Sequence, residues 1–302
     1  MIANVLVARD FSASSEYALA RGFDLAKHFD AAVHMVGVKV RADDLFNPTD
    51  EPAGLVDRIR DQFKEQSRAS LTSGGFDPES LRVHHALVRG EAPAPALLEY
   101  ADDHDIDLIV LGTEGRRGMR RALMGSVTEE VLRLASCPVL TARANADAEA
   151  ETIQRVVVPT DLSKASWAAL QYALSVARAY EVPLALLHVV EGVNMPVAYN
   201  IEVTPKDSAD LSARVRRALN EQLARLGVSN VHAEAYVEEG HPIREIVTFS
   251  TPGDLIVMST HGRTGLDRTF MGSVAENVIR RSIGPILSAS NFAPFVAEET
   301  AA

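Results

Sequence analysis

Gly112, Gly115, Gly125 and Ser126 stand at a G-x2-G-x9-G-S spacing, and the same spacing returns as Ser259, Gly262, Gly272 and Ser273. Glycines let a main chain come close to a ligand and adopt positive φ. A Gly-Ser pair that opens a helix presents backbone N–H groups and a hydroxyl where the helix dipole favours an anion. Arg116, Arg117, Arg120 and Arg121 lie inside the first stretch, and Arg263 and Arg268 inside the second. Arginine holds phosphate oxygens through charge-assisted hydrogen bonds, so these stretches suit the holding of a phosphate chain. The competing reading makes the glycines ordinary turn residues and the arginines solvated surface. Recurrence of the whole spacing, each time ending in Gly-Ser, favours the cradle.

Other residues that could act chemically are few. Ala8-Arg9-Asp10 and Pro159-Thr160-Asp161 occupy matching places; Asp10 and Asp161 are set either to accept hydrogen bonds from a ribose or base, or to cap the helix that follows. Main-chain groups near Met35 and Val189 could pair with a base edge. There is no G-x-x-x-x-G-K-[ST] loop, no H-E-x-x-H and no G-x-S-x-G, which removes the P-loop, zincin and nucleophile-elbow chemistries. Cys137 precedes an apolar strand and has Gly284 as its counterpart, so it reads as a packed thiol. His84 and His85 adjoin on a strand and face opposite ways, an unsuitable metal pair. His34 and His188 read as aligned residues with a structural role, and His241 as the start of a helix.

The elements that must position these residues are a duplicated set. ANVLVARDFSASS from Ala3 matches QRVVVPTDLSKAS from Gln154, and DLIVLGTEGRRG from Asp107 matches DLIVMSTHGRTG from Asp254. A repeat of this length indicates a duplicated domain rather than a solenoid unit. We place the first domain at 1–143, a small acidic linker at 144–152, the second domain at 153–290 and a tail at 291–302. Within the first copy, NVLVA, AAVHMVGV, LRVHHALV, DLIVLG and PVLTA read as strands. Helices fall between them: one capped by Ser12, one over 55–73, one opened by Pro93, and one from Ser126 to Ala135. Alternation of this kind predicts a doubly wound α/β domain with a parallel sheet, whose ligands lie beyond the carboxyl ends of the strands. The glycine stretch starts where DLIV ends, and its last residues open the first helical turns, Ser126-Val127-Thr128 and Ser273-Val274-Ala275.

Composition narrows the classes. The 302 residues are 47% hydrophobic and 24% charged, with a formal net charge of −11, a globular profile that argues against a nucleic-acid binder. The single cysteine excludes an internal disulfide and suits a reducing compartment. MIANVLVARD lacks the basic region and cleavage site of a signal peptide, and no apolar run reaches membrane-spanning length. The expectation is a cytoplasmic protein with no membrane and no nucleic-acid partner.

On the G-x2-G-x9-G-S pattern, the PTDLSKAS opening, the HVV strand end and the CPVL and GPIL last strands, the chain resembles the universal stress protein family in its tandem form. The resemblance implies two Rossmann-like domains, each a five-stranded parallel sheet of order 3-2-1-4-5 with helices on both faces. It implies ATP as ligand, with AMP or ADP as alternatives and magnesium as an optional companion. By the family pattern the ligand meets Ala8, Asp10, Met35, Gly112, Gly115, Arg116, Gly125, Ser126, Val127 and Thr128 in one copy. In the other it meets Pro159, Thr160, Asp161, Val189, Ser259, Gly262, Arg263, Gly272, Ser273, Val274 and Ala275. Dimer formation is also implied, through a pseudo-dimer of the two domains within one chain, a homodimer, or both. Two departures stand out: Ala8-Arg9 replaces the usual Pro-Thr, and Ser259 replaces the first glycine. The function expected is a nucleotide-binding regulator of a stress response, acting through conformation or an unknown protein partner with little or no catalysis. A slow ATPase or other adenylate-handling enzyme, and a dimerisation scaffold without nucleotide, are the alternatives.

Overall fold

The computed structural model describes residues 2–40, 55–77, 80–113, 124–143, 152–191, 205–228, 230–260 and 271–289. The chain divides into two compact units between Thr152 and Ile153. Most of the linker (144–151) and the tail (291–302) lie outside the described residues.

Unit 1 runs β1 (Asn4–Ala8), α1 (Ala13–Phe29), β2 (Ala32–Val40), α2 (Leu55–Ser73), β3 (Val83–Gly90), α3 (Pro93–Asp103), β4 (Leu108–Gly112), α4 (Ser126–Leu134) and β5 (Val139–Ala142). Its strands pair in parallel in the order β3-β2-β1-β4-β5. Unit 2 repeats this as β6 (Arg155–Pro159), α5 (Lys164–Tyr180), β7 (Leu184–Val190), α6 (Pro205–Arg225), β8 (Ala233–Glu239), α7 (Pro242–Phe249), β9 (Asp254–Met258), α8 (Ser273–Arg281) and β10 (Ile286–Ser288). Its strand order is β8-β7-β6-β9-β10, again all parallel. The fold class is the one expected from the sequence. Among the described residues no helix is long and apolar enough to cross a membrane.

The central strands are apolar throughout because both faces are covered. Val5, Leu6 and Val7 of β1 and Val156, Val157 and Val158 of β6 are wholly buried. In unit 1, α1 and α2 share one face and α3 and α4 the other, as right-handed crossovers require when the chain reverses direction at β1. That reversal opens a crevice between the carboxyl ends of β1 and β4. A Cβ at Gly22 would come within 2.6 Å of Val7, so α1 can lie close on the sheet only because this residue has no side chain.

Helix ends follow the sequence where side chains decide them. Ser12 and Ser163 are the N-caps of α1 and α5, accepting from Ser15 N and Ser166 N at 3.2 Å each. Pro93 and Pro242 stand in the first turns of α3 and α7. Asp30 and Glu181 end α1 and α5 in the left-handed conformation at φ 52° and 54°, a place where glycine is the usual signal and neither repeat supplies one.

Candidate functional site

Both units turn identically at the end of the first strand. Arg9 N donates to Val36 O and Thr160 N to Leu187 O, each at 2.8 Å, and then the chain leaves the sheet. Asp10 Oδ1 accepts from Ser12 N at 2.9 Å and from Ser12 Oγ at 2.6 Å. Asp161 Oδ1 accepts from Ser163 N at 3.0 Å. Each aspartate therefore fastens the turn that delivers the N-cap, the capping role weighed from sequence. The residue between, Phe11 or Leu162, is left-handed at φ 60° or 65°. For a bulky side chain that conformation costs about 1 kcal/mol or more, and both repeats carry it.

Across the crevice, the fourth strand and the following helix meet at a closed neck. Gly125 N donates to Thr113 O at 2.8 Å and Gly272 N to Thr260 O at 2.7 Å. Thr128 Oγ1 donates to Gly112 O at 2.8 Å; its counterpart Ala275 has no hydroxyl. Gly125 and Gly272 are the N-caps of α4 and α8 and supply no side-chain cap. Among the described residues no side chain caps the N–H donors at the start of each helix, in Ser126-Val127-Thr128 and Ser273-Val274-Ala275, and such donors suit an anion. Thr113, itself buried, has a hydroxyl with no hydrogen-bond partner among the described residues, an uncommon state for a buried polar group.

The first motif glycine has a packing reason beside the one its spacing suggested. Gly112 does not take positive φ, and neither do Gly125 and Gly272, both at −64°. A Cβ at Gly112 would instead lie 2.7 Å from Ser14 C and 2.8 Å from Ser14 O. The residue is small because β4 ends against the first turn of α1. Ser259, which already carries a Cβ, holds the equivalent place in unit 2.

Strand register corrects two assignments. Pro159 pairs with Leu187 as Ala8 pairs with Val36, so His188 corresponds to Gly37 and not to His34. By the same register Val189 corresponds to Val38. Met35 pairs with Val7 within the sheet and is 0% exposed, which gives it no access to the crevice. His188 holds the unit 2 turn, its Nδ1 2.7 Å from Thr160 O; a carbonyl accepts only, so the proton is on Nδ1. His34 is at the amino end of β2, away from the crevice. Its Nδ1 is 3.0 Å from the Tyr100 hydroxyl, and its ring stands 4.7 Å from His84 and 5.9 Å from His104. Burial, then the charges of His84 and His104, hold its pKa down at about 4.

The topology puts Ala8, Asp10 and Gly112 at or just beyond the carboxyl ends of β1 and β4 and Gly125, Ser126, Val127 and Thr128 at the start of α4; in unit 2 Pro159, Thr160, Asp161, Val189 and Ser259 stand at or just beyond the carboxyl ends of β6, β7 and β9 and Gly272, Ser273, Val274 and Ala275 at the start of α8. Gly115 and Arg116, with Arg117, Arg120 and Arg121, and Gly262 and Arg263, with Arg268, lie outside the described residues. Sequence reading missed Val38, Thr113 and the packing partner Ser14; only strand register and the placement of α1 against β4 reveal them. Cys137 is buried, and its thiol pKa is pushed up to about 12 by burial first and then by the carboxylates of Asp107 and Asp102. It is not a nucleophile at neutral pH.

Comparison with known proteins places this architecture. The model of the universal stress protein family matches residues 1–143 and 152–288. Universal stress protein Rv2623 of Mycobacterium tuberculosis is 30% identical over 234 residues, covering 76% of this chain and 74% of that protein. Universal stress protein Rv2005c of the same organism is 29% identical over 201 residues, and the match spans 65% of that relative's length. Among solved structures, a universal stress protein from Archaeoglobus fulgidus aligns over 96% of this chain and 98% of its own, at TM-score 0.64 and 20% identity.

Proposed function

Because the chain belongs to the universal stress protein family, we propose that it is a stress-response protein that binds an adenine nucleotide in the crevice of each unit and acts through conformation rather than turnover. The observation that carries this reading is the start of α4, which has no side-chain cap, beside a buried Thr113 hydroxyl that has no partner among the described residues. A helix start capped by glycine keeps its N–H groups for an anion, and a buried hydroxyl costs free energy until it finds a partner. A phosphate there would satisfy both. The N–H groups and hydroxyls of Ser126 and Ser273 would hold the phosphates. Asp10 and Asp161, with main-chain groups of Val38 and Val189, would face the nucleoside. Asp10 and Asp161 each already accept from the turn, so their part toward a ligand is that of preset acceptors.

The arginines between the motif glycines suit the phosphates by charge, and a magnesium ion would be held only as a companion of the nucleotide. Pairing of the repeats with each other, or of two chains, belongs to the same proposal and rests on the family resemblance alone. Little hydrolysis is expected, because the carboxylates next to the crevice are engaged at the nucleoside end. The test is mass spectrometry of the small molecules released when the purified protein is denatured, followed by a turnover assay. An adenine nucleotide released together with turnover far below about 10 per second, the enzyme norm, supports the reading. Turnover near that value would make the protein an enzyme, and failure to bind any adenine nucleotide would leave only a scaffold.

A further inference from the structure

The two units share one turn and fasten it differently. In unit 1 the Arg9 side chain is 0% exposed and reaches two helices, α1 and α2. One guanidinium nitrogen donates to Ser15 O at 2.8 Å and Ser15 Oγ at 3.1 Å. The other donates to Glu16 Oε1 at 2.7 Å and to Ser70 Oγ of α2 at 3.0 Å. Ser70 Oγ in turn donates to Glu16 Oε1 at 3.2 Å, closing the set. The guanidinium lies 5.0 Å over the Phe11 ring, and Phe11 meets Phe63 of α2 edge-on at 5.6 Å. Phe63 rests on Gly37, where a Cβ would come within 2.5 Å of its ring.

Unit 2 has a different fastening at the corresponding places. Thr160 replaces Arg9; its Oγ1 donates to Ser166 Oγ at 2.9 Å and accepts from Leu162 N at 3.0 Å. His188 replaces Gly37 and holds the Thr160 carbonyl. None of these bonds reaches α6. On the other side of the crevice, Gly112 packs on Ser14 and Thr128 ties the end of β4 to α4; Ala275, in the place of Thr128, has no hydroxyl to make that tie.

We propose that Arg9 is a positioning residue that holds the first unit's cradle in its binding geometry, and that the two units therefore fill in order, unit 1 before unit 2. The proposal rests on the nucleotide reading above. The turn that Arg9 fastens carries Asp10 at one end and Ser14, the seat of Gly112, at the other. Fixing it fixes both walls of the crevice. A turn that is tied to α2 on folding has less ordering left to complete on binding, and a preordered site binds more tightly by that saving. Two affinities in one chain would let a single protein respond over a wider range of nucleotide concentration than two equal sites could.

The test is calorimetric titration of nucleotide-stripped full-length chain with ATP. The Gly262→Val variant isolates the first site and Gly115→Val the second. We expect the first site to be about tenfold tighter. Arg9→Thr should weaken the first site about tenfold and leave the second within twofold. Glu16→Ala should weaken it about threefold, while Glu16→Gln, which keeps an acceptor oxygen for the guanidinium, stays within twofold of the parent. That split by acceptor distinguishes positioning from bulk loss of fold, and it decides the matter should Arg9→Thr not fold. Equal affinities at the two sites, or an unchanged first site in the Arg9 and Glu16 variants while both sites still titrate, would overturn the proposal and spare the nucleotide reading. Absence of binding at both sites in the parent chain would overturn that reading itself.

Discussion

Gly112→Ala tests the packing that sets the floor of the first crevice. The added Cβ would sit 2.7 Å from Ser14 C and 2.8 Å from Ser14 O and Cβ. Ordinary carbon contacts begin near 3.4 Å, so the first turn of α1 must retreat by roughly 0.7 Å, against atoms that are mostly backbone. No conformational strain adds to this, because Gly112 is not at positive φ. Overpacking of a close-packed site costs about 1–3 kcal/mol, and the rigid neighbour puts this case in the upper half, near 2–3 kcal/mol. For a unit of this size each kcal/mol moves Tm by about 2–4 °C, so a fall of roughly 4–12 °C is expected. The chain carries its own reporters. Its single cysteine, Cys137, is buried in unit 1, and its single tryptophan, Trp167, is on α5 of unit 2. Thiol labelling and tryptophan fluorescence during thermal unfolding therefore follow the units separately. The labelling transition should move down and the fluorescence transition should stay. Ser259→Ala, which keeps the Cβ that unit 2 already accommodates, should shift neither by more than about 1 kcal/mol. An unmoved labelling transition in Gly112→Ala would refute the close approach of β4 to α1.

Other expectations follow from the same contacts. His34 has its pKa lowered from 6.5 to about 4, so the unfolded chain binds the proton first. Unit 1 is then at full stability above pH 6.5 and loses up to about 3 kcal/mol as pH falls to 4. Circular dichroism at stepwise pH should show a shallower decline in His34→Gln. Asp254 is buried and takes a two-point hydrogen bond from Arg155 at 2.9 and 2.6 Å, so Asp254→Ala should lower the Trp167 transition by about 3–5 kcal/mol, the cost of orphaning a buried pair. Cys137, with its thiol pKa near 12, should resist alkylation at pH 8 in the folded protein and label promptly on denaturation.

Much of the architecture was legible because the repeat states it twice. Apolar runs such as DLIV and NVLVA could only be doubly covered strands, and Ser12, Ser163, Pro93 and Pro242 carry their helix-start chemistry in their side chains. Features set by the approach of distant segments were not legible. Gly112 reads as a ligand-facing glycine until α1 is seen against it. Met35 and Val189 looked equivalent because apolar strands slide along one another without penalty in sequence, and only hydrogen-bond register separates them. The same ambiguity paired His188 with His34. Phe11 and Leu162 give no sign of their left-handed backbone, because tertiary packing overrides local preference there. Arg9 was visible as a departure from Pro-Thr, but its partners Glu16 and Ser70 lie on two different helices and no spacing announces them.

Equilibrium dialysis of nucleotide-stripped full-length protein against labelled ATP tests the central claim most directly, comparing the parent chain with the Gly115→Val/Gly262→Val double variant. Two nucleotides per parent chain are expected at saturation, and none above background in a double variant that remains folded by circular dichroism. Saturable binding that survives in the folded double variant would place the nucleotide elsewhere, and a parent chain that retains no ATP at millimolar concentration would contradict the account outright.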